Sequence, residues 1–162
     1  MGFATHLGPW LLGTVKNTTG ATAGTIRNTG ATVVTQSNTV AFSDTTAKVL
    51  FTLPAGAQII NFYVDTTVAF NAATNNVLTI QNGTTSLATV TATAANITVG
   101  RATTTYAITD AQIALYVNVG TVDYIINAKF AGTGTAASTG TATVTCEYVV
   151  RNSDGSQTPA SA

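Results

Sequence analysis

Apolar and polar residues alternate along most of this chain with a period of two, the repeat of a β-strand that shows one face to a core. The pattern centres on residues 53–70, LPAGAQIINFYVDTTVAF. Pro54, Ala55 and Gly56 form a turn, with proline fixing φ and glycine able to take positive φ. Beyond it, Ile60, Phe62 and Val64 are expected on one face, and Ile59, Asn61, Tyr63 and Asp65 on the other. Before the turn, Val49, Phe51 and Leu53 alternate with Lys48, Leu50 and Thr52. Two strands meeting at a corner are expected there, each with one side in a core.

The remaining strands follow in order. Residues 32–42 alternate weakly around Val33, Val34, Val40 and Phe42, and a polar turn follows at 43–46. Val77, Leu78, Thr79 and Ile80 make a short strand, and Asn82 with Gly83 is the strongest hairpin signal in the chain. Residues 86–98 continue that hairpin or, given their alanines, form a short helix. A looser loop through Gly100 and Arg101 leads to Tyr106, Ala107 and Ile108. The cleanest period-two run is Ile113, Leu115, Val117 and Val119, which predicts a strand paired through a turn at 120–122 with the run Tyr124, Ile126, Ala128 and Phe130. Residues 131–140 read as a Gly/Ala/Ser/Thr loop. The last strand, 141–150, carries Val144, Cys146, Tyr148 and Val150 on one face.

Residues 1–30 break the pattern. Their glycines are frequent and their apolar groups fall in one cluster from Pro9 to Leu12. This predicts an extended N-terminal arm (1–30), a β-sandwich (31–151) and a polar C-terminal tail (152–162). An irregular segment folded onto its own sandwich is the alternative for the first part. As an arm, it would insert Trp10, Leu11 and Leu12 into a neighbour, since an aromatic beside leucines is the usual make-up of an interface anchor. The fold class expected is all-β, an antiparallel sandwich of jelly-roll or immunoglobulin type. The irregular strand spacing, and the lack of two cysteines around a tryptophan, favour jelly-roll.

Composition narrows the function classes. The 162 residues include six basic and six acidic side chains, so charged residues are 7% against roughly 25% in ordinary globular proteins. No basic stripe suited to nucleic acid is visible, and no apolar run approaches a membrane span. A chain this poor in charge has little electrostatic protection against self-association, so either Thr, Asn and Gly solvate its surface or partners cover much of it, and the second reading is preferred. Cys146 is the single cysteine, read as a small core residue rather than a nucleophile. His6 is the single histidine, too few for a metal site. The carboxylates Asp44, Asp65, Asp110, Asp123, Glu147 and Asp154 are isolated from one another in sequence, and no acid/base pair stands out. No enzyme, cofactor or metal is expected. Tyr63 and Tyr116 are the candidates for a stacking surface for sugars, with cross-strand packing as the ordinary explanation.

The run LPAGAQIINFYVDTTVAFN, a strand with Asn82 and Gly83, Gly100 and Arg101 before a strand, and the terminal TGTATVTCEYV together resemble small virion proteins of tailed bacteriophages. The resemblance covers residues 47–150, and its motifs encode a β corner and a final strand rather than a site. It implies a capsid decoration, or cement, protein on the outside of an icosahedral head. The expected partners are the major capsid protein and sister copies in a trimer, with neither nucleic acid nor membrane. A fibre, knob or tail component, or a glycan-binding module, is the alternative.

Overall fold

The structure, a computed structural model, describes residues 33–93, 96–106 and 109–149. Its strands are β1 (Val33–Ala41), β2 (Lys48–Leu53), β3 (Gln58–Val68), β4 (Asn75–Asn82), β5 (Thr85–Thr93), β6 (Gly100–Ala102), β7 (Thr105–Tyr106), β8 (Tyr124–Thr133) and β9 (Thr141–Val149). A single helix among the described residues, α1 (Asp110–Val117), lies between β7 and β8. The strands form two antiparallel sheets, one in the order β1-β9-β3-β6 and the other β2-β8-β4-β5-β7. The expected all-β sandwich is what the chain forms.

The connectivity follows from one hairpin. Asn82 faces Thr85, leaving Gly83 and Thr84 as a two-residue loop, with Gly83 at φ 54°. Outward from this loop the chain pairs with itself in succession: β4 with β5, β3 with β6, β2 with β8 and β1 with β9. This long ribbon is rolled up, so that β9 also bonds to β3 and β8 to β4. The roll places β1, β3, β6 and β9 in one layer and β2, β4, β5, β7 and β8 in the other, and buries Leu53, Phe62, Val64, Leu78, Ile80, Leu87, Ile126 and Phe130 between them. Phe70 and Phe130 stack at 4.7 Å near one end of the core.

The corner at Pro54 forms as expected: the amide of Ala57 donates to the carbonyl of Pro54 at 3.1 Å, and Gly56 takes φ 75°. The face assignment beyond it needs correction. Ile59 pairs with Tyr148 and Asn61 with Glu147, so Ile60 is an extra residue in a β-bulge. The bulge shifts the alternation by one: Ile59 is buried and Ile60 is 44% exposed. Leu50 is bulged in β2 in the same way, so Leu50 and Phe51 are both buried and Val49 is 57% exposed.

The expected strand at 113–119 is instead helix α1 followed by a short connection. Thr109 caps the helix, accepting from the amide of Gln112, while the Gln112 carboxamide accepts from the amide of Thr109. The run from Ile113 to Val117 is apolar at every position, so it supplies a face for either period. Leu115 and Tyr116 pack on the core, as does Val119 just beyond the helix. Residues 120–122 are therefore not a hairpin, and β8 takes β2 and β4 as its partners. The amide of Gly56 donates to the carbonyl of Gly120, and that of Val119 to Ala57, fixing the helix exit against the Pro54 corner. Residues 131–133, expected in a loop, extend β8 opposite Asn75, Asn76 and Val77. Residues 85–93 are strand rather than helix.

Candidate interaction surface

The outer face of the β1-β9-β3-β6 sheet is built from side chains that alternate with the core. In β3, Phe62 and Val64 point inward, so Tyr63 and Asp65 point outward. Three rungs cross the sheet: Thr35, Glu147 and Asn61; Ser37, Thr145 and Tyr63; Thr39, Thr143 and Asp65. Ser37 and Thr145 are joined through their hydroxyls at 2.8 Å. The hydroxyl of Tyr63 donates to Oε2 of Glu147 at 3.1 Å. From β6, Arg101 donates through Nε and Nη2 to the two oxygens of Asp65, each at 2.8 Å. Its guanidinium carbon lies 4.7 Å from the centre of the Tyr63 ring.

The hydrogen bonds from Arg101 hold the Asp65 carboxyl below its ordinary range, and the same contact raises the guanidinium. The surface is thus a hydroxyl-rich platform with one bidentate ion pair at its edge. It can hydrogen-bond to a flat partner. Its serine bonds to a threonine, which gives no base to activate a nucleophile.

Of the residues singled out from sequence, Trp10, Leu11 and Leu12 lie outside the described residues, as does His6. Tyr63 is on the outer platform. Tyr116 is on α1 against the inner side of the sheet, with its ring edge-on to Phe62 at 6.4 Å and to Tyr106 at 5.8 Å. Its hydroxyl donates to the carbonyl of Leu87 at 2.5 Å, and burial raises the phenol pKa. The two tyrosines therefore share no face. Tyr63 instead gathers Asp65, Arg101 and Glu147, which sequence separation hid: Arg101 lies 36 residues from Asp65, and Glu147 lies 84 from Tyr63.

Cys146 is fully buried, and loss of solvation pushes its thiol up to about 12. It is a core residue, as its place in the alternation indicates.

The side of the sandwich between β1 and β2 is stitched by side chains. Gln36 donates to the carbonyl of Thr52, Asn38 to that of Leu50, and Lys48 to that of Thr39. These bonds occupy edge carbonyls that otherwise invite another strand. Among the described residues no three His, Cys, Asp or Glu side chains cluster as metal ligands, and no helix is long and apolar enough to cross a membrane. No family model, curated protein or solved structure matches the chain.

Proposed function

We propose that this chain is a structural virion protein, a decoration protein that binds the outside of a bacteriophage head and reinforces contacts between major capsid subunits. We further infer that its sandwich is a jelly-roll and that it acts as a homotrimer. The strand order supports the first of these, because a double Greek key is a hairpin ribbon rolled in this way. The observation that carries the functional reading is the scarcity of charge, 7% of residues, in a protein whose described residues build a broad Thr/Ser sheet face. Such a surface suits burial against neutral neighbours in a large assembly. The resemblance of residues 47–150 to small phage virion proteins points the same way.

The mechanism is mechanical. The N-terminal arm carries the anchor Trp10, Leu11 and Leu12 across a junction of shell subunits, and the sandwich contacts sister copies. Repetition over a symmetric shell converts weak single contacts into strong retention. Replacing Trp10, Leu11 and Leu12 together by alanine should leave the sandwich folded and strip the protein from purified capsids, read as copies per particle. Hundreds of wild-type copies per head are expected. Occupancy by the triple variant equal to wild type would reject the anchor, and a dozen or fewer wild-type copies would mean a tail or vertex component.

A further inference from the structure

Helix α1 is apolar on more sides than the core covers. Leu115 and Tyr116 face inward, yet Ile113 is 45% and Val117 53% exposed, one turn apart on the same helical face. Ala114 between them is exposed as well. A helix apolar around most of its circumference belongs in a buried setting. The described chain begins at the same end of the sandwich. Val33 is level with Val149, and Val149 with Gln58; the neighbour of Gln58, Ala57, accepts from the amide of Val119, two residues past α1. Two strand spacings, about 10 Å, and one hydrogen bond thus separate Val33 from the helix exit.

We propose that the segment Trp10, Leu11 and Leu12 of the same chain packs on this exposed face of α1 in the free protein. Twenty residues, 13–32, connect Leu12 to Val33, and they can reach up to about 70 Å, several times the separation. Residues 1–32 hold one concentrated apolar cluster, Pro9 to Leu12, and the tether makes its encounter with α1 intramolecular. Trp10 is the only tryptophan, so its fluorescence reports the contact directly. The inference stands apart from the capsid reading, because it concerns the isolated chain.

The test is the emission maximum and acrylamide quenching of Trp10 in the full chain over a wide range of protein concentration. Blue-shifted, protected emission that does not change on dilution is expected. Ile113→Asp with Val117→Asp should shift it to the red, toward the urea-unfolded value, while Val99→Asp should not, since exposed Val99 precedes Gly100, which pairs with Thr66 toward the end of β3 away from Gln58. In case the helix variant fails to fold, a second measurement uses Trp10→Ala, Leu11→Ala and Leu12→Ala together. Amide exchange in α1 should then speed up while exchange in β3 and β9 stays as in wild type. Trp10 as accessible as in urea, α1 exchange unmoved by the triple variant, or a folded helix variant with unchanged emission would overturn the proposal. So would protection lost on dilution, which would place the anchor on a second copy.

Discussion

Gly140 sits where β9 begins, and a side chain there has nowhere to go. A Cβ built on it would stand 2.3 Å from the Phe70 ring, and its φ of 146° lies where L-residues are strained. Since Phe70 is itself stacked on Phe130, the ring cannot yield cheaply. Gly140→Ala is expected to lower stability by about 3 kcal/mol, measured as a reduced urea midpoint.

Cys146 makes a second prediction at this scale. Its folded-state thiol is raised from 9.0 to about 12, so its contribution is complete below pH 9 and is lost as pH rises toward 12, where the unfolded thiol is already ionised. The loss is on the order of 4 kcal/mol, and burial of Tyr116 and Tyr124 acts in the same direction. Thermal unfolding should become easier through that window, and less so in Cys146→Ala. A thiol reagent at neutral pH should label Cys146 only as fast as the chain unfolds.

At the scale of elements, bulges and a cap decide what period-two counting cannot. One inserted residue exchanges the roles of Ile59 and Ile60, and another buries Leu50 beside Phe51. A bulge has no signature in side-chain type here, because the two residues it re-sorts, Ile59 with Ile60 and Leu50 with Phe51, are apolar in each case. The helix did carry a signal: Thr109 followed three residues later by Gln112 is a capping box. The alternation of Ile113, Leu115 and Val117 points instead to a strand, although Ala114 and Tyr116 between them break a strand pattern of apolar against polar. Thr109→Ala removes that cap and should cost about 1 kcal/mol, with faster amide exchange concentrated in α1.

At the scale of the whole molecule, the rolled ribbon sets what can meet. Tyr63 reaches Glu147 and Gln36 reaches Tyr148 because β9 lies between β1 and β3. The carboxylates, scattered along the chain, become members of local networks: Asp44 with Lys48, Asp65 with Arg101, Glu147 with Tyr63. The same roll places the start of β1 beside the exit of α1. That proximity gives the cluster of residues 9–12 a surface within reach, whichever partner the assembled protein meets.

Alternation, turn chemistry and composition were enough to determine that this chain is a β-sandwich with a corner at Pro54, a hairpin at Gly83 and Cys146 in its core. Those features depend on neighbours within a few residues, which the chain itself supplies. The strand order, the bulges, the helical state of residues 110–117 and the grouping of Tyr63 with Arg101, Asp65 and Glu147 depend on contacts between segments tens of residues apart. Period-two patterning says which face of a strand is buried, but it is indifferent to which strand lies alongside. Only packing two curved sheets around one core selects the neighbour.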